Sequence, residues 1–164
     1  MTMKKFTYCF TLLLFYSCTT TTYFITRHTE KEAATAMVKD VPLSEAGQLR
    51  AVALKELLKA KNIQHIYSTN YIRTQSTAMP LSDYLGIGIE VYDAGDTNFI
   101  SRLVRKPSGN VLIIGHSNTV DNIVNELAGR MEVEADLLDN QYGDLFVIKR
   151  KGKQCIFLKE HYGL

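Results

Sequence analysis

The chain reads as an α/β protein: a three-layer α/β/α sandwich around a mostly parallel sheet, with an antiparallel hairpin at its C-terminal end. Three observations predict this. Short apolar runs alternate with stretches of helical period along most of the sequence, the order of strands joined by helical crossovers. One run, NVLIIG at 110–115, is apolar without alternation, the pattern of a central parallel strand buried on both faces. The last two runs, DLFVIKR at 144–150 and QCIFLKEH at 154–161, are joined only by a turn at Lys151-Gly152, which makes them a hairpin.

The elements follow in order. TYFIT at 22–26 is the first strand. PLSEAGQLRAVALKELLKAKN at 42–62 is a helix, capped by Ser44, with Leu49, Val52, Ala53, Leu57 and Leu58 recurring at helical spacing. QHIYS at 64–68 is the second strand. NYIRTQSTAMPLSDYLG at 70–86 is a helix opening at Asn70 and stopping at Gly86, which Pro80 is expected to kink or divide. IGIEVYD at 87–93 is the third strand, and TNFISRLVRK at 97–106 a short helix before Pro107. After NVLIIG, SNTVDNIVNELAG at 117–129 is a helix capped by Ser117 or Asn118 and ended by Gly129.

The first 18 residues have a different character. Lys4 and Lys5 precede the apolar run FTYCFTLLLFYSC, which is too short to span a bilayer and has the layout of a signal peptide. LFYSC resembles a bacterial lipobox, and that resemblance implies cleavage before Cys18 and lipid on its sulfur. The expected organisation is a signal peptide over 1–18, a threonine tether over 19–22 and one folded domain over 23–164. The protein is then extracytoplasmic and held to a membrane through its lipid. A plain signal peptide and an uncleaved anchor are the competing readings.

Composition narrows the function. The chain has 164 residues, 46% hydrophobic and 22% charged, which is one globular domain rather than a disordered chain. A formal charge of +2, with no basic stripe and no base-reading motif, sets nucleic acid aside. Of the three cysteines, Cys9 and Cys18 lie in the N-terminal segment, so Cys155 has no partner in the domain and reads as a small core residue. No zinc spacing and no clustered carboxylates appear, so neither metal nor cofactor is expected.

In open α/β sheets the working site lies beyond the carboxyl ends of the strands. Arg27 and His28 stand there after the first strand, Arg73 in the first turn after the second, and His116 directly after NVLIIG. Asp93 and Asp96 follow the third strand. Two arginines offer planar forks that match phosphate oxygens, and a neutral imidazole can attack phosphorus. A helix opening at Ser117 would add backbone N–H groups. Neighbouring arginines would help keep the nucleophile unprotonated.

The motifs ITRHTEK, PLSEAGQLRA, IYSTNYIRTQSTA and LIIGHSNTV resemble, in order and context, the histidine phosphatase superfamily. The closer likeness is to its phosphoglycerate-mutase-like branch, including short phosphohistidine phosphatases. The resemblance runs from about Tyr23 to Val120. It implies that His28 is a phosphorylated nucleophile, that Arg27 and Arg73 bind phosphate, and that His116 is the second pocket histidine, with Ser117 beside it. Thr29 stands where the family usually has glycine, and Ser76 where glutamine is common. Many relatives carry a proton-donating glutamate after the third strand. None stands here, so Asp96 is the first candidate, Asp93 the second, and a donor-free reaction on phosphohistidine the third.

The expected function is therefore a metal-independent phosphatase acting on a phosphorylated small molecule or a phosphohistidine protein. A phosphoglycerate-type mutase and a non-catalytic phosphate-binding lipoprotein are the alternatives. His65 and His161 have no companions and read as structural. Glu30 and Lys31 read as a solvated pair. Asp93 and Asp96 are about as well explained as caps of the following helix, and Tyr142 and Asp144 as neighbours of the pocket without an assigned role.

Overall fold

A computed structural model describes residues 20–33, 40–105 and 109–163. The expected signal peptide, with Cys9 and the lipobox residue Cys18, lies outside the described residues. Ten elements follow one another: β1 (Thr21–Arg27), α1 (Glu45–Leu58), β2 (Ile63–Thr69), α2 (Ile72–Leu85), β3 (Ile89–Tyr92), α3 (Phe99–Arg105), β4 (Asn110–Gly115), α4 (Val120–Ala128), β5 (Asp144–Lys151) and β6 (Gln154–His161).

The six strands form one sheet in the order β3-β2-β4-β1-β5-β6. The pairs β1/β4, β2/β4 and β2/β3 are parallel; β1/β5 and β5/β6 are antiparallel. Alternate residues of each strand serve opposite faces. Ile25, Ile113 and Phe146 pack with Leu103 of α3 and Val124 of α4 on one side. Phe24, Leu112 and Val147 pack with Leu54 of α1 and Leu81 of α2 on the other. A sheet clothed on both faces explains why β4 carries no polar residue between Val111 and Ile114, all four of them buried. The expected three-layer α/β class, parallel sheet and C-terminal hairpin are all present.

Four local expectations change. Thr21 and Thr22 belong to β1, paired with Arg150 and Lys149 of β5, so half of the expected tether is sheet. In α1, Leu49 and Val52 face solvent, while Gly47, Ala51, Leu54 and Leu58 form the buried face. The reason is close approach: a Cβ at Gly47 would meet the Glu30 carbonyl oxygen at 2.0 Å, so α1 presents its smallest residue to the chain leaving β1. Pro80 does not divide α2, which runs unbroken to its Gly86 cap. Finally, α4 begins at Val120 with Thr119 as its N-cap residue, not at Ser117 or Asn118. The chain from His116 to Thr119 is a tight turn first, in which the Thr119 and Val120 N–H groups both donate to the His116 carbonyl.

Candidate active site

Parallel pairing sets the geometry. Arg27 stands opposite Gly115 at the ends of β1 and β4. The ladder continues one step further, with the His28 N–H donating to the Gly115 carbonyl at 3.0 Å. This brings His28 and His116 side by side, although they lie far apart in sequence. A side chain on Gly115 would sit 2.9 Å from the Thr119 hydroxyl, so glycine leaves room for the turn that aims His116. That turn is closed by the Thr119 hydroxyl, which accepts the His116 N–H at 2.9 Å.

His28 is buried, with 3% of its surface exposed. Its Nδ1 lies 2.8 Å from the Thr29 carbonyl, which can only accept, so Nδ1 carries the ring proton and Nε2 keeps its lone pair. Burial, opposed by that carbonyl and reinforced by Arg27, His116 and Arg73, lowers its pKa to about 3. The ring is held neutral, the state a nucleophile requires. His116 lies edge to face with it, ring centroids 5.5 Å apart. Burial and the two arginines lower its pKa to about 4, against a raising influence from Asp40.

Thr29 turns its hydroxyl away toward the helices. It donates to the Gly47 carbonyl at 2.8 Å and lies 3.3 Å from the Thr77 hydroxyl, while its N–H donates to Thr77. The residue thereby ties the segment after β1 to both α1 and α2.

The two arginines are held alike. The Arg27 guanidinium stacks on Tyr142 at 4.4 Å and donates to the Leu138 carbonyl at 2.8 Å. The Arg73 guanidinium stacks on Tyr71 at 4.3 Å and reaches Asp40 at 3.4 Å. Tyr71 also lies edge to face with His116 at 5.0 Å, and the Tyr142 ring is 6.3 Å from that of His28. The Nε atoms of both arginines are buried, and neither has a hydrogen-bond partner among the described residues. Two buried N–H donors without acceptors are costly unless an anion takes them. They flank two neutral imidazoles, and the arrangement suits a tetrahedral oxyanion.

The structure thus brings Arg27, His28, Arg73 and His116 together. It treats the remaining candidates differently. Ser117 is half-buried in the turn after His116, its carbonyl accepting from Leu137 N–H, and it does not open a helix. Asp96 accepts from the Asn98 N–H at 3.0 Å and is ion-paired with Arg102, which lowers its pKa. A carboxylate held ionised has no proton to give, the opposite of what a general acid needs. Asp93 caps its own loop, accepting from Gly95 N–H at 2.9 Å. Asp144 pairs with Lys159 and His161 on β6, and Glu30 pairs with Arg50 rather than Lys31.

Asp40 is the residue sequence reasoning missed. Its two oxygens accept the Ile72 N–H at 3.0 and 3.1 Å, supplying from a distant loop the cap that Tyr71 cannot give α2. The same carboxylate holds Arg73, so one group fixes both the start of the helix and the arginine in its first turn. A cavity of about 400 Å³ opens beside this site, lined by Asp93, Asp96, Asn118 and Thr119.

Residues 23–94 match the histidine phosphatase superfamily, branch 1. The resemblance carried by the motifs is borne out. The matched span holds Arg27, His28 and Arg73; His116, directly after β4, lies beyond it. Among solved structures, the protein histidine phosphatase SixA complexed with tungstate superposes with a TM-score of 0.68 at 19% identity, over 85% of this chain and 96% of that one. A SixA protein from Agrobacterium tumefaciens gives 0.64 at 15% identity, over 87% and 97%. A phosphoserine phosphatase from Entamoeba histolytica in complex with phosphoserine gives 0.62 at 10% identity, over 84% and 94%. At these identities the likeness is one of histidine phosphatase fold. No curated protein matches the chain by sequence.

Proposed function

We propose that the chain is a phosphatase that works through a covalent phosphohistidine on His28. The observation that carries this reading is the pair of buried arginine Nε–H groups without a partner among the described residues, beside a histidine whose Nδ1 proton leaves the lone pair on Nε2. Arg27 and Arg73 bind the phosphoryl oxygens. His28 Nε2 attacks phosphorus, the bond from phosphorus to the leaving atom breaks, and the leaving group departs with that electron pair. Water then attacks the phosphohistidine, the P–N bond breaks, and inorganic phosphate leaves with His28 regenerated. The arginines and His116 meet the charge that shifts on the oxygens, so no metal is invoked.

The substrate class follows from the proton. A basic alkoxide needs an acid as it leaves, and Asp96 is held ionised by Arg102. A phosphoramidate such as phosphohistidine can be protonated on nitrogen beforehand and needs no acid. The reading therefore favours phosphohistidine, or a phosphoester with an acidic leaving group, over simple alkyl phosphates. The SixA neighbours support it by fold.

The test is phosphate release from nitrophenyl phosphate and from a phosphohistidine peptide, with His28→Ala as control. The expected result is turnover by wild type, none by the variant, and acid-labile phosphate trapped only on wild type. Retention of more than a small fraction of activity by His28→Ala would overturn the nucleophile.

A further inference from the structure

We propose that Thr69 is a positioning residue that fixes which nitrogen of His116 carries the ring proton. Thr69 is the last residue of β2 and is 1% exposed. Its hydroxyl oxygen lies 2.8 Å from His116 Nε2 and donates its own hydrogen to the Thr74 hydroxyl at 3.0 Å. Thr74 passes its hydrogen to the carbonyl of Thr69 or Tyr71, each 3.0 Å away. Carbonyls only accept, so the chain of donors has one direction. With its hydrogen committed to Thr74, Thr69 meets the ring with a lone pair. His116 Nε2 must then be the donor, and the neutral ring keeps its lone pair on Nδ1.

Nδ1 has no hydrogen-bond partner among the described residues. It is the atom at which His116 takes up a second proton when a phosphate dianion offsets the charge of the arginines. The imidazolium so formed holds one N–H on Thr69 and turns the other toward a phosphoryl oxygen. A ring with the opposite tautomer would place its lone pair against Thr69 oxygen and lose that bond. The catalytic consequence rests on the phosphatase reading; the tautomer does not.

The experiment is therefore split. Side-chain ¹⁵N NMR of the histidine-labelled full chain near neutral pH, with His116 assigned by loss of its signals in His116→Gln, reads the tautomer directly. The expected wild-type spectrum has a protonated Nε2 and a bare Nδ1. Thr69→Val keeps the shape but removes the acceptor and should shift His116 toward a mixture of tautomers. Thr69→Ser should keep the wild-type pattern. In kinetics, Thr69→Val should lower kcat about tenfold or more, the scale of losing an imidazole's orienting partner, with little change in KM and rescue by serine. A bare Nε2 in the wild type, or an unchanged spectrum in folded Thr69→Val, overturns the proposal. If Thr69→Val fails to fold, the wild-type spectrum alone decides. The expected spectra with no hydrolysis of any phosphate would sustain the Thr69 assignment and sink the phosphatase reading instead.

Discussion

His28 and His116 meet edge to face with ring centroids 5.5 Å apart, between two arginines, and both are held well below the ordinary imidazole pKa. The unfolded chain titrates them near 6.5, whereas the folded values are about 3 and about 4. Between those limits the unfolded state binds more protons, so the stability these groups contribute is full above the unfolded value and is lost as pH falls. Denaturant unfolding at about pH 7.5 and about pH 4.5 checks this. Wild type should lose more stability across that interval than His28→Gln. Equal losses would mean that His28 is not buried neutral.

Arg73→Ala should lower kcat/KM by roughly 10²–10³-fold, the scale of removing one donor to transition-state charge. Asp40→Asn keeps an oxygen for the Ile72 N–H but weakens the hold on Arg73, so its loss should be smaller. Because the two act as a unit, the double variant should be no worse than Arg73→Ala alone. Additive losses would separate Asp40 from Arg73.

Asp96→Asn should slow alkyl phosphates and nitrophenyl phosphate by the same small factor, since Arg102 holds Asp96 ionised. A general acid contributes ~10²–10⁴-fold, and its loss would fall selectively on the alkyl substrates. Selective loss in rate comparisons would restore Asp96 as the donor. Asp93→Asn serves as the matched control.

Cys18→Ser should release the protein from membranes, because lipid on that sulfur is the anchor that the lipobox resemblance implies. Fractionation of both forms reads this directly. Retention of the variant in the membrane fraction would favour an uncleaved N-terminal segment.

The sequence carried the strand-end residues well. Arg27, His28 and His116 each follow a run whose apolar character already reveals a strand, and Arg73 lies in the first turn of a helix. The β/α alternation and NVLIIG were enough for the class and the parallel sheet. On α1, hydropathy ranks Leu49 and Val52 above Gly47, whereas contact with the Glu30 backbone rewards the absence of a side chain. Asp40 escaped notice because an acidic residue in a loop has no period, and its partners Ile72 and Arg73 become visible only in three dimensions. Tyr71 and Tyr142 look like ordinary aromatics until each is seen beneath an arginine.

The place of β1 in the sheet has a consequence for how the molecule is made. The first strand among the described residues, β1, pairs with β4 and β5, whose residues opposite Tyr23 are Val111 and Ile148. It therefore has no partner until most of the chain exists. Such non-local pairing favours late closure, and a truncated nascent chain exposes Tyr23, Phe24 and Ile25. His28 directly follows that strand, so the proposed nucleophile gains its surroundings only once β4 has been made. A chain interrupted before β4 would carry the RH motif in full and yet hold no pocket around it.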